Sequence, residues 1–161
     1  MILKNFVINL ATLFGLGNFP IMPGTLGSFM GLLLHIILIQ NLSIFSVIFT
    51  LITIILLAIV ICDMAEKVIG EKDPGCVILD EFVAMPICFL GIKHFIPATI
   101  AMWKIWVLGF VIFRIFDILK PLGIKKSQDL SGGIGIVVDD IIAAVYTNVT
   151  MILICLTIRG W

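Results

Sequence analysis

The chain has 161 residues, ten basic and ten acidic side chains and no net charge, a length that suits one domain. Hydrophobic residues make up 61% of it and charged residues only 12%, with a mean hydropathy of +1.28, whereas an ordinary soluble domain carries about 25% charge. That leaves too little polar surface to coat a water-soluble globule, so lipid does part of the coating, and without a basic block nucleic acid is excluded as a partner.

The first residues, MILKNFVINLATLF, carry one early lysine and no cleavage-type run of small residues, which predicts that no signal peptide is removed. Within them Leu3, Phe6, Val7, Leu10 and Phe14 recur at helical spacing, with Lys4, Asn5 and Asn9 off the stripe. A short helix is expected, either lying on a membrane surface or packed against the rest of the chain. Residues 15–28, GLGNFPIMPGTLGS, are too rich in Gly and Pro for one continuous helix. Two apolar runs follow, 29–39 and 45–61, split by Gln40-Asn41-Leu42-Ser43. The second nearly matches a bilayer crossing of ~20 residues. The first holds His35, read as a packed or interfacial residue, and spans only if residues 26–28 or Gln40 join it.

Residues 63–74 are polar, and Pro74-Gly75 breaks any helix. The run 77–92 is apolar except for Asp80 and Glu81 near its start. After a break at 91–97, the run 98–119 contains Lys104, Arg114 and Asp117 and stops before Pro121, because a residue preceding proline avoids helical geometry. Lys104 is expected to snorkel or to pair with a carboxylate. Residues 125–135 read as a polar, glycine-rich loop, and the last run, 136–158, has Asp139 and Asp140 near its start. The cysteines at 62, 76, 88 and 155 are scattered and form no C-x-x-C pair, so neither a disulfide nor a zinc site is expected.

Threaded through a bilayer, the apolar runs make five full or partial crossings of alternating direction. Residues 15–28, 62–76 and 114–135 and the start of the last run then share one side, while 40–44, 92–97 and the C-terminus share the other. All ten acidic residues lie between Asp63 and Asp140, at or near the first side. Lys4, Lys67, Lys72, Arg114, Lys120, Lys125 and Lys126 belong there too, against Lys93 and Arg159 opposite, which makes the first side cytoplasmic by the positive-inside rule.

The acidic pairs Asp80-Glu81 and Asp139-Asp140 sit in apolar runs, where charge is expensive and seldom lacks a purpose. Brought together they repel, and a hard divalent cation such as Mg²⁺ relieves that. The alternative for each pair is stabilisation of a helix N-terminus. Arg114, Asp117 and Lys120 follow at intervals of three along one helix face. Arg114 and Lys120 can grip a phosphate, with Asp117 orienting Arg114 or joining the metal shell, or the Arg114–Asp117 pair is merely an intrahelical ion pair. The loops SGGIG (131–135) and PGTLGS (23–28) expose backbone N–H groups that can cradle phosphate oxygens, although neither is followed by the G-K-[ST] of a P-loop. No cysteine is followed by arginine at the spacing of a cysteine phosphatase, no D-x-D-x-[TV] nucleophile occurs, and no Ser-His-Asp order emerges from the two histidines. Metal-assisted attack by water remains.

These residues stand in blocks that resemble the phosphatidylglycerophosphatase A family. GLGNFPIMPGTLGS is similar to its G-x-x-P-x-x-P-G-T-x-G-S block, KDPGCVILDEFVAM to D-P-G-x-V-x-x-D-E-x-x-G-M, and FRIFDILKP with GGIGIVVDDIIAAV to F-R-x-x-D-x-x-K-P and G-G-x-G-I-x-x-D-D-x-x-A-G. The match runs in order over residues 15–145. Ala84 and Ala144 stand where the family has Gly, and Gly123 where a second Pro is common; none of these departures removes a carboxylate or a base. The resemblance implies an all-helical enzyme of the bacterial cytoplasmic membrane that uses Mg²⁺ to hydrolyse phosphatidylglycerophosphate to phosphatidylglycerol and phosphate. It carries over to Asp80, Glu81, Arg114, Asp117, Lys120, Asp139 and Asp140, with Asp73 and Thr25 as further matched positions.

The expectation is therefore a single all-α polytopic membrane domain over residues 1–161, with its polar motif loops on one face. Asp80, Glu81, Asp139 and Asp140 are expected to hold Mg²⁺, and Arg114, Asp117 and Lys120 to act on the phosphoryl group. A small transporter whose intramembrane charges line a path is the alternative, and a structural membrane subunit a third; charge gathered on one side disfavours a path, which needs polar groups through both halves.

Overall fold

A computed structural model describes residues 2–121, 123–127 and 130–159. Among them the secondary structure is helical throughout, with no strand: α1 (Ile2–Ala11), α2 (Pro23–Ile37), α3 (Ile44–Ile69), α4 (Leu79–Ala84), α5 (Met102–Leu119), α6 (Ile124–Ser127) and α7 (Gly132–Arg159), joined in places by 3₁₀ turns. Residues 128 and 129 of the loop expected at 125–135, and the Lys126 side chain, lie outside what is described.

Among the described residues, three segments are long and apolar enough to cross a membrane: Pro23–Asn41, Ile44–Ile69 and Gly132–Arg159. The first exceeds its apolar run because the helix starts inside the Gly/Pro-rich block. Pro23 occupies the first helical turn, where its missing N–H costs nothing, so the block, which is not one continuous helix, still supplies six residues of α2. Likewise α3 continues through Asp63 and Glu66 and ends only at Gly70, which takes up the left-handed φ of +80°. The glycine-rich loop is shorter than expected, since α7 begins at Gly132.

The run 77–92 is no continuous crossing. It forms the short helix α4 and then a 3₁₀ turn over Met85–Phe89, because Pro86 cannot supply an N–H to an α-helical ladder. This broken segment is enclosed by α2, α3 and α7, and residues 83–89 are all buried. Enclosure satisfies the rule that irregular backbone at membrane depth must be covered by protein. α5 has the 18-residue length of a crossing but carries three charges, Lys104, Arg114 and Asp117.

Small side chains let the long helices approach. The buried faces of α3 (Ala58, Cys62, Ala65) and α7 (Gly133, Ala143, Ala144, Thr147) are built largely from them, as in helix packing within lipid. Gly133 marks the tightest point, since a Cβ there would lie 1.9 Å from the Ile59 carbonyl oxygen. Outward, Phe45, Phe49, Ile52 and Leu56 of α3 form an exposed apolar stripe. α1 packs on α3 through Val7 and Ala11, whereas Leu3, Phe6 and Phe14 of the predicted stripe face outward. The cysteines are free.

The contacts at the helix ends give the bundle two distinct poles. At one, Lys93 Nζ donates to the Gln40 carbonyl, and Arg159 Nη1 donates to the His94 carbonyl at 3.4 Å. His35 lies on that side of α2, buried and stacked on Phe89 at 4.7 Å. Lys104, part way along α5's first turn, sits over the Trp103 ring at 5.8 Å. The opposite pole holds the acidic side chains of α4 and α7.

Candidate active site

α4 is only six residues long, but it is wedged between α2 and α7 and presents Asp80 and Glu81 to both. From α7, Asp140 joins them. One carboxylate oxygen from each of Asp80, Glu81 and Asp140 lies within 4.8 Å of the others. Asp140 is eight residues into α7, ~12 Å along the helix at ~1.5 Å per residue, so the cluster is recessed from the helix end. Asp80 and Asp140 are buried, at 6% and 3% exposure.

The space for Glu81 is made by glycine on α2. A Cβ on Gly24 would lie 2.1 Å from Glu81 Oε1, so any side chain there would evict the carboxylate. The block PGTLGS is the start of helix α2 rather than a loop, and its glycines leave room for an acidic side chain from a neighbouring helix. Sequence reasoning missed this, and the i, i+3 spacing of Gly24 and Gly27 on a helix was the available signal.

α5 supplies the cation. Arg114 Nη1 pairs with Asp117 at 2.5 Å, receives Ser28 Oγ within 3.2 Å as its hydrogen-bond acceptor, and stands 3.9 Å from Glu81 Oε1. Ser28 in turn donates to the Gly24 carbonyl at 2.8 Å, tying the arginine to the first turn of α2. Ser28 was not singled out beforehand. Arg114 and Asp117 form the intrahelical ion pair that their spacing allows.

Lys120 caps α5 in a left-handed conformation, φ +44°, and its ammonium bonds Asp139 Oδ2. Burial alone would lower the lysine pKa, but the bond to Asp139 and its charge prevail and hold it above the ordinary value. Asp139 Oδ1 accepts the Asp140 N–H at 3.0 Å, so both Asp139 oxygens are engaged and Asp139 stands apart from the other three carboxylates. Asp73 is exposed, in a left-handed conformation at φ +49°. Asp63 braces the start of α7: its Oδ1 accepts the Gly133 N–H at 3.4 Å, and its Oδ2 accepts from Lys67 at 2.6 Å.

Five carboxylates (Asp80, Glu81, Asp117, Asp139, Asp140) therefore face two cations, Arg114 and Lys120. Asp80 Oδ1, Glu81 Oε2 and Asp140 Oδ1 are buried without a hydrogen-bond partner. Buried carboxylate oxygens left in this state are costly. A group of hard oxygen donors with uncompensated negative charge is the donor set that a small divalent cation accepts, so the residues present fit such an ion.

Fold and site together define a helical membrane protein with a recessed acidic centre able to hold a metal ion beside an anchored arginine. Comparison with known proteins narrows this: the profile of phosphatidylglycerophosphatase A matches residues 9–155, and the chain belongs to that family. It is 35% identical over 162 aligned positions to the Haemophilus influenzae phosphatidylglycerophosphatase A, covering 99% of this chain and 92% of that protein. It is 34% identical to the Escherichia coli phosphatidylglycerophosphatase A, over 84% of this chain and 76% of the relative. It is also 33% identical to a Bacteroides thetaiotaomicron protein named "Putative phosphatidylinositol-3-phosphatase", over 86% of each. No solved structure matches the chain.

Proposed function

We propose that residues 1–161 form one catalytic domain, a Mg²⁺-dependent phosphatase that converts phosphatidylglycerophosphate to phosphatidylglycerol and inorganic phosphate at the cytoplasmic face of the bacterial inner membrane. Family membership supports the reaction. The observation that carries the chemistry is the trio of buried, partnerless carboxylate oxygens beside Arg114. The cytoplasmic placement is supported by the excess of basic residues that threading of the apolar runs assigns to the side of the acidic pairs.

In this reading Asp80, Glu81 and Asp140 would hold the ion, and Asp139 would join them on releasing Lys120, whose ammonium would then be free to meet the substrate phosphate. Bound Mg²⁺ supplies Lewis-acid charge to the phosphate and to the attacking water. Arg114, fixed by Asp117 and Ser28, offers its planar fork to the phosphoryl oxygens as charge develops on them. The water oxygen bonds to phosphorus while the bond from phosphorus to the glycerol oxygen breaks. One proton of that water ends on the glycerol oxygen and the other stays with the phosphate.

A second headgroup is favoured by one observation, the 33% identity to the relative named for phosphatidylinositol 3-phosphate. Both lipids present a phosphomonoester on an otherwise membrane-held molecule. Phosphate release from each by purified protein, with Mg²⁺ and with chelator, separates them. Mg²⁺-dependent release from phosphatidylglycerophosphate that disappears in Asp140→Asn is the expected result. No release from either lipid by folded protein in vesicles would reject the phosphatase reading and bring transport forward, to be tested by flux.

A further inference from the structure

A groove of about 430 Å³ lies between the start of α2 and the C-terminal half of α5, inside the ~300–1,000 Å³ range of ligand pockets. Its walls are apolar: Met22 from the α2 side, and Phe110, Val111, Ile115 and Ile118 from α5. Two polar side chains also line it, Thr25 and Arg114. Each has a buried atom without a hydrogen-bond partner, Thr25 Oγ1 and Arg114 Nε. Arg114 therefore borders two places, the groove and the carboxylate cluster, where its Nη1 atom stands 3.9 Å from Glu81.

The groove opens sideways. Val111, Ile115 and Ile118 are about half exposed on the outer surface of α5, the surface that meets acyl chains rather than water in a bilayer. An apolar trough lined on one side by the arginine that also reaches the carboxylate cluster suits the chain of an amphiphile. Free phosphate finds no polar partner along its length, whereas an acyl chain matches its walls. A lipid can seat a chain here while its phosphorylated headgroup lies on the cluster side of Arg114.

Resting on the phosphatase reading above, we infer that this groove is a binding site for one acyl chain of the lipid substrate, which enters laterally between α2 and α5 and delivers its headgroup to Arg114 at the carboxylate cluster. The lipid then never leaves the bilayer, although the carboxylates are recessed by ~12 Å from the start of α7.

The test fills the groove and compares two substrates with the same headgroup, a long-chain phosphatidylglycerophosphate in vesicles and a short-chain, water-soluble analogue. In Val111→Trp and Ile115→Trp the long-chain to short-chain ratio of kcat/KM should fall about tenfold or more. A second measurement uses the wild-type chain and a phosphatidylglycerophosphate with a photoreactive diazirine in one acyl chain. The label should fall on Met22 or on residues 110–118, and unlabelled phosphatidylglycerophosphate, but not phosphatidylcholine, should displace it. An unchanged substrate ratio in active variants, or labelling of α5 that phosphatidylcholine displaces equally well, overturns the groove while leaving the phosphatase reading intact. If both variants are inactive, the labelling result decides. If wild-type protein releases phosphate from neither substrate, the phosphatase reading falls, and the groove assignment with it.

Discussion

Replacing Asp140 by Asn separates a metal site from a merely acidic one, because it should stabilise the metal-free protein and abolish its response to Mg²⁺. The cluster places carboxylate oxygens within 4.8 Å of each other, and two unit negative charges at that separation repel by about 3–4 kcal/mol at an effective dielectric constant of ~20. Protonation and the nearby Arg114 dilute the repulsion, so relief of about 1–3 kcal/mol is expected. For a chain of this length a kilocalorie moves the melting temperature by roughly 2–4 °C, so Asp140→Asn should melt about 2–12 °C above the wild type in chelator. In the wild type, Mg²⁺ at a hundred times its dissociation constant contributes about 2.7 kcal/mol, or roughly 5–11 °C, and the variant should lose that increment. Thermal unfolding in detergent with chelator and with Mg²⁺ reads both quantities. A variant that melts below the wild type in chelator and gains as much from Mg²⁺ would refute the reasoning.

Three further substitutions test the surroundings of the cluster. Arg114→Lys keeps the charge but cannot span Asp117 and Ser28 together, and it should lower kcat/KM for phosphate release by about a hundredfold. Lys120→Met leaves Asp139, 3% exposed, without its cation. This should cost about 2–3 kcal/mol, below the ~3–5 kcal/mol of a fully buried pair because Lys120 is partly exposed, and adding Asp139→Asn should restore most of the melting temperature. Gly133→Ala drives a Cβ to 1.9 Å from the Ile59 carbonyl, so α3 and α7 must separate, at about 3 kcal/mol or more, seen as a lower melting temperature or a loss of folded protein.

Much of this arrangement was legible before any coordinates. Lipid exposure followed from composition, and the apolar runs located α2, α3, α5 and α7. What the runs concealed was where helices begin and break. Pro23 looked like an obstacle and is instead the first turn of α2, and Pro86 divides an apolar stretch that hydropathy alone presents as continuous. At the site, the residue types singled out as acidic or basic do gather. Their pairing was not readable, because it depends on which helix faces which. Asp139 and Asp140 are neighbours in sequence but turn by ~100° about the helix axis, so one meets Lys120 and the other meets α4. Ser28 gave no local hint of its role, and the spacing of Gly24 and Gly27 hinted at a close approach without saying which element makes it.

The position of α4 has a consequence for biogenesis. Asp80 and Glu81 belong to a segment too short and too acidic to enter lipid alone, and they are enclosed by α7, whose Asp140 is made sixty residues later. While the ribosome is still producing α5, these carboxylates lack the neighbour that encloses them, so the segment from 77 to 92 is expected to wait in the insertion machinery or at the water interface until α7 arrives. A chain cut short before α7 should therefore be a substrate for membrane quality control.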